Sequence, residues 1–483
     1  MPAIHKLSAA SLARRIRDGT VSPVTAVDAL LNRIESRNEQ TNAFITITDS
    51  LARDAAKEAE RAVENGARLG PLHGVPVAVK DLNDVAGIRT TFGSELFSDY
   101  TAESDDLFVS RLKDAGAIVV GKTNTPEFGL GCTTDNRVVG PTSTPFALEK
   151  VSGGSSGGAG AALADHLVPL AQGSDTGGSI RTPAAFCGVY GFKPSFGRVP
   201  RANRPNAFAD HTPYSHLGPL ARTVEDAALM LDVMAGPHPK DPFSLPVDGT
   251  SYLDAVNQPI DDLRIAYSPD LGIYPIDPAV RDVIDEAVPV FERAGATVDR
   301  VDPDLGCTQD ELLDAYYTFI KVHWESLFDD LEEVHGFDPR GADRERLYAD
   351  TVEIILESDT VTTREYTQAD VTRTRVYDGL IDLFGSYDIL LTPTTAVPPF
   401  DHGDHPTTIQ GTEIEPLRGW LLTQPFNLSG HPVASIPAGQ TDTGLPIGLQ
   451  IAGHRHADDD VLAASAAFER KRPWQESYPA LRD

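Results

Sequence analysis

Two serine-glycine clusters constrain this chain more than any other feature. The first is Gly153-Gly154-Ser155-Ser156-Gly157-Gly158; the second is Gly173-Ser174-Asp175-Thr176-Gly177-Gly178-Ser179-Ile180-Arg181, with Ser155 lying 24 residues before Ser179. Glycine carries no Cβ to forbid unusual φ,ψ values, so such stretches can turn tightly with their N–H groups converging. A lone loop of this composition is most often a linker. These two are framed differently: the apolar run Ala159 to Ala164 follows the first, and Val168-Pro169-Leu170-Ala171, which reads as a strand, precedes the second. Polar glycine loops joined by buried segments fit a site better than a tether. A ring of free N–H groups around a hydroxyl is what acyl transfer requires: donors for a developing oxyanion and the nucleophile that creates it.

A base is needed to activate that hydroxyl. The apolar run Val75-Pro76-Val77-Ala78-Val79 ends in Lys80. Taken alone, a lysine at a strand end simply snorkels its ammonium to water. Free lysine titrates near pH ~10.4, but burial disfavours the charged form, so a desolvated lysine can serve as a neutral base. The hydroxyls then take natural roles: Ser179 attacks a carbonyl, Ser155 relays its proton and Lys80 receives it. Thr176, Gly177 and Gly178, together with Ser179, offer backbone N–H groups to the oxyanion. Asp175 and Arg181 are expected to hold the loop's shape.

This constellation resembles the amidase signature family, in its free-standing amidase branch. The matching residues are Gly74-Val75-Pro76-Val77-Ala78-Val79-Lys80-Asp81, Gly121-Lys122-Thr123-Asn124, Ser152 to Gly158 and Gly173 to Arg181, extended by Phe186-Cys187-Gly188 and Gly191-Phe192-Lys193-Pro194. The dense match covers about residues 65–200, with a looser one at Leu391-Thr392-Pro393-Thr394 and Gly444 to Gly453. The resemblance implies a Ser–cis-Ser–Lys triad, with Ser179 as nucleophile, Ser155 as the cis-peptide serine and Lys80 as base. It also implies one mixed sheet wrapped by helices, and amide hydrolysis through an acyl-enzyme. Ala159-Gly160-Ala161 departs from the family pattern, a change of packing more than of chemistry. The glutaminase component of a tRNA-dependent amidotransferase shares the triad and is the nearest rival. Against it, Gln424 to Pro432 is more similar to free-standing amidases. A non-catalytic scaffold of the same fold is the rival from another class.

Other motif matches fail on context. Gly116-Ala117-Ile118-Val119-Val120-Gly121-Lys122-Thr123 fits the P-loop pattern, but its variable positions are themselves an apolar strand and cannot wrap a phosphate. Gly153 to Gly157 fits a nucleophile elbow, yet Pro141 to Ser152 is polar and turn-like where a strand is required. Ser110-Arg111-Leu112-Lys113 mimics the penicillin-binding pattern without its second motif. His402, His405, His454 and His456 sit among Pro, Gly and Asp without the helical spacing of a metal site, so no metal and no cofactor is expected. Cys132 and Cys187 lack a histidine nearby and read as buried packing residues.

The expected fold class is α/β, a single large domain (1–483) with a central mixed, largely parallel twisted sheet covered by helices. Its parts are an N-terminal helical part (1–65), a signature core (66–235), and a helical insertion with C-terminal strands (236–483). Ser8 and Ser22-Pro23 mark helix starts, a further helix runs from Leu51 to Glu64, and Pro278 to Ala294 reads as one helix. Residues 309–385 are mostly helical and acidic. The start, Met1 to Leu12, has no basic segment leading into an apolar run, and three cysteines suit a reducing compartment, so a cytoplasmic enzyme is expected. Lys+Arg total 41 against Asp+Glu 71, a net charge of −30 that argues against a nucleic-acid partner. Arginine outnumbers lysine about three to one, and the surplus acid reads as adaptation to high salt, where self-repulsion is screened. The partner is a small amide, with no membrane and with a homo-oligomer left open. The acyl pocket is expected from Gly129 to Asp135 and from the region around Trp420, where no residue demands a charge or a particular size.

Overall fold

Eleven strands hydrogen-bond into one sheet in a computed structural model that describes residues 3–479. In chain order they are β1 (Phe44–Ile47), β2 (Pro76–Lys80), β3 (Ile118–Thr123), β4 (Leu170–Asp175), β5 (Tyr190–Lys193), β6 (His216–Ala221), β7 (Arg264–Tyr267), β8 (Thr297–Arg300), β9 (Ile389–Pro393), β10 (Val433–Gln440) and β11 (Pro446–Gly453). Across the sheet they run β1-β3-β2-β4-β6-β5-β10-β11-β9-β7-β8. The sheet is mixed, as expected. Parallel pairing occupies two blocks, β3-β2-β4 and β9-β7-β8. The stretch between them, from β4 to β9, is antiparallel, as is β1 on β3.

The parallel block β3-β2-β4 follows from composition. Every residue of β2 and β3 is buried, which is why both read as continuous apolar runs without alternation. The connection from β2 to β3 carries the helix Leu107–Asp114, and the one from β3 to β4 carries Gly157–Ala164. Strands β2 and β4 are parallel neighbours and deliver Lys80 and Asp175 at their carboxyl ends. In open α/β sheets that edge is where ligands bind.

Helices begin where the chemistry calls for it. Ser8 and Ser22 each accept an N–H three residues on, from Ser11 and Thr25, and Pro23 opens the second helix. The acidic stretch forms three helices, Gln309–Glu333, Ala349–Ser358 and Thr363–Phe384; the first and third start with full capping boxes, Thr308 with Glu311 and Thr362 with Glu365. The single helix expected over Pro278 to Ala294 is two, Pro278–Ala287 and Pro289–Arg293. Pro289 lacks the N–H that would continue the ladder. Strands β5 and β6 carry glycine and proline (Tyr190-Gly191-Phe192-Lys193, His216-Leu217-Gly218-Pro219-Leu220-Ala221), and so give no strand signal. Among the described residues no helix is long and apolar enough to cross a membrane.

Candidate active site

Lys80 closes a strand whose other side chains leave no room for water: Val77, Ala78, Val79 and Lys80 are all fully buried. Its backbone N–H donates to Gln172 Oε1 (3.1 Å), tying β2 to β4. Its Nζ lies 2.7 Å from Ser155 Oγ and 3.0 Å from Ser174 Oγ. No carboxylate pairs with it among the described residues. Burial pushes the ammonium well below the ordinary lysine value, and the Arg201 charge adds to this while Asp175 opposes it. The result is a lysine held by two hydroxyls instead of an acid.

The two serine-glycine loops meet at this lysine. The Gly154–Ser155 peptide bond is cis, and Ser156 N–H donates to the Ser179 carbonyl (3.1 Å), which lashes the loops together. Thr134 Oγ1 supports the first loop from outside, donating to Gly153 O (2.9 Å) and accepting from Gly157 N–H (3.1 Å). In the second loop Gly178 has φ +125°, and a Cβ there would sit 2.3 Å from Thr423 Oγ1, so only glycine fits. Ser179 is partly exposed, and its hydroxyl has no hydrogen-bond partner among the described residues.

Asp175 and Arg181 hold this loop's shape, as their positions suggest. Both are fully buried and paired at 2.9 Å. Burial by itself would push the Asp175 carboxyl up; the Arg181 charge and hydrogen bonds, with Lys193 and Asn427, outweigh it and leave the group well below the usual carboxylate range. Arg181 spends its five donors on Asp175, Thr423 O, Gln450 Oε1 and Asn427 Oδ1. The Asp175 carboxylate also accepts Gly178 N–H (2.8 Å) and Ile180 N–H (3.2 Å). Gly178 therefore differs from the expectation: its N–H is taken by the loop's own brace. The N–H groups of Thr176, Gly177 and Ser179 have no acceptor among the described residues.

A cavity of about 220 Å³ opens on this loop, lined by Ser155, Ser174, Thr176 to Ser179 and Gly129. Gly129 has φ +78°, and a Cβ there would meet Leu82 at 2.7 Å and Ser155 Oγ at 3.4 Å. The region around Trp420 enters the cavity through Arg418 and Leu421, while Trp420 itself is fully buried and stacks on Phe186 (5.6 Å). One expectation changes here. Cys132 is only partly buried and faces the cavity, whereas Cys187 is buried as expected. Sequence reasoning misses Ser174, Thr423, Asn427 and Gln450 as site residues. Ser174 lies within the second serine-glycine cluster, which could have flagged it; Asn427 and Gln450 lie in the matching segments Gln424 to Pro432 and Gly444 to Gly453, and only Thr423 has no local signal.

The histidine pairs are scattered. His402 Nε2 contacts Ser143 Oγ (2.9 Å), and the His454 ring lies against Phe384 (4.9 Å).

Comparison with known proteins places this architecture. The family model described as Amidase matches residues 25–462. An acylamidase of Rhodococcus erythropolis is 37% identical over 99% of this chain and 98% of its own length. The glutamyl-tRNA(Gln) amidotransferase component of Carboxydothermus hydrogenoformans is 36% identical over 99% of this chain and 100% of its own. The crystal structure of a bacterial aryl acylamidase of the amidase signature family superposes with a TM-score of 0.94 at 37% identity, covering 99% of this chain and 98% of that one. The chain belongs to the amidase signature family and is an amide-hydrolysing enzyme.

Proposed function

We propose that this enzyme cleaves a carboxylic acid amide to acid and amine through an acyl-enzyme on Ser179. The observation that carries the reading is Lys80: a fully buried amine with no acid partner among the described residues, 2.7 Å from Ser155 Oγ, which lines the same cavity as Ser179. Neutral Lys80 takes the Ser155 proton as Ser155 takes that of Ser179, and Ser179 Oγ bonds to the amide carbon. The carbonyl oxygen gains the negative charge and is met by the N–H groups of Thr176, Gly177 and Ser179. The C–N bond then breaks, and the proton returns from Lys80 through Ser155 to the leaving nitrogen. Water attacks the Ser179 ester along the same proton route, and the acid leaves.

Similarity to acylamidases makes anilides the first substrates to try. With 4-nitroacetanilide, the wild type is expected to release 4-nitroaniline and Ser179→Ala to release none. A fluorophosphonate probe should label Ser179 alone, and label on another residue would overturn the assignment. The glutaminase reading has the amidotransferase similarity in its favour. It predicts glutamine as the sole substrate and partner proteins that copurify. The cytoplasmic and single-domain readings stand beside this proposal; strands from all three parts of the chain enter one sheet, which supports the second.

A further inference from the structure

Among the described residues no Asp or Glu lines the cavity at Ser179, although the chain carries a net charge of −30. Two arginines among the described residues do, Arg201 and Arg418. Arg201 is spoken for, by Asp210 (3.1 Å) and Ser215 Oγ (2.9 Å). Arg418 is not. It is 7% exposed, and its one side-chain hydrogen bond among the described residues goes to Tyr317 Oη (3.1 Å). Its flat face lies near the Tyr316 and Tyr317 rings, 5.9 and 5.0 Å from their centroids. The nearest acid in sequence, Glu415, spends its carboxylate on the N–H groups of Leu417 and Arg418, and no carboxylate forms an ion pair with Arg418 among the described residues.

The unspent Arg418 donors are not sealed in the core, so an acceptor entering the cavity can reach them. Stacking on two tyrosines supports its face but leaves the planar edge, the part that binds a carboxylate with two parallel hydrogen bonds. Tyr316 connects that edge to the chemistry, since its hydroxyl reaches Thr176 O in the Ser179 loop (3.5 Å). Arg418 therefore stands one tyrosine ring from the Thr176 carbonyl of the Ser179 loop, in a cavity also lined by Gly129 to Cys132.

We infer that Arg418 is a specificity-determining residue that binds a carboxylate on the acyl part of the substrate, so that the preferred substrates are half-amides of dicarboxylic acids. This rests on the amidase reading above. The Arg418 edge takes the free carboxylate, Tyr316 and Ile320 line the methylene chain, and the amide carbonyl reaches Ser179.

The test uses pairs that differ only at the far end: the mono-4-nitroanilides of succinic and glutaric acid against the 4-nitroanilides of butyric and valeric acid. Wild-type kcat/KM should favour the carboxylated member of at least one pair. Arg418→Gln should lower kcat/KM for that member by roughly 10- to 100-fold more than for its neutral counterpart, mostly through KM. Arg418→Lys, which keeps the charge but not the fork, should recover part of the preference. Neutral members preferred at both lengths, or equal losses on both members in Arg418→Gln, would overturn the inference. Calorimetric titration of the same compounds into Ser179→Ala separates the two readings. Tighter binding of the carboxylated member there supports Arg418 recognition even if Ser179 proves not to be the nucleophile. No preference in that titration overturns it even if turnover of the neutral anilides is normal.

Discussion

Lys80 Nζ and Ser155 Oγ stand 2.7 Å apart, with Ser174 Oγ as the lysine's second contact at 3.0 Å and no carboxylate in the set. Lys80→Ala should therefore lower kcat/KM by about 10²- to 10⁴-fold, the usual worth of a positioned acid-base group. Because burial lowers its proton affinity, the wild type should gain activity as pH rises through a value below that of free lysine. A profile still rising at pH ~10.4 would place the base elsewhere.

Ser174 tunes that base. A hydroxyl accepting from the ammonium favours the charged form. Ser174→Ala should move the acidic limb of the kcat/KM profile to lower pH while the fold, followed by circular dichroism, is kept. A limb that moves up or stays would remove Ser174 from the proton path.

Arg181 is the brace between the Ser179 loop and the C-terminal strands. Arg181→Met leaves Asp175 charged and buried without its partner, so denaturant unfolding should show a loss of about 3–5 kcal/mol. Arg181→Lys should not restore it, since an ammonium cannot reach acceptors on Asp175, Thr423, Asn427 and Gln450 together.

Glu469 sets a pH dependence away from the site. Burial, joined by the charges of Asp226 and Glu225, raises its carboxyl from 4.5 to about 7, against hydrogen bonds from Val224 N–H and Gln475. The folded state thus holds a proton that the unfolded chain gives up sooner. The stability this supplies is complete below pH 4.5 and is lost as pH rises through about 7. Glu469→Gln, neutral throughout, should gain Tm relative to wild type between pH ~5 and pH ~8; an unchanged difference would refute the assignment.

The net charge of −30 predicts salt dependence. Tm and activity should rise with KCl and fall off below ~0.2 M, where screening weakens. Full activity and an unchanged Tm at low salt would refute the high-salt reading.

Much of the site was legible because its members lie in short motifs. Val75 to Lys80 announces a buried strand ending in an amine, and the two glycine-serine clusters announce loops with hydroxyls. The sheet was less legible. Strands β5 and β6 are built around Gly191, Gly218 and Pro219, residues that local preference assigns to turns, and only pairing with β4 and β10 makes them strands.

By itself, the sequence determined which groups are present and their local frames: Lys80 at a strand end, Ser155 and Ser179 in glycine turns, caps at Ser8 and Ser22. Only the tertiary structure decided how those groups are held. It brings Thr423 and Gln450 to Arg181 from 242 and 269 residues away, engages Gly178 N–H with Asp175, packs Trp420 away and turns Arg418 into the cavity. The reason is physical. Preferences for turns, caps and strands act over a few residues, whereas the partner of a buried charge is set by how distant strands stack when the whole sheet closes around it.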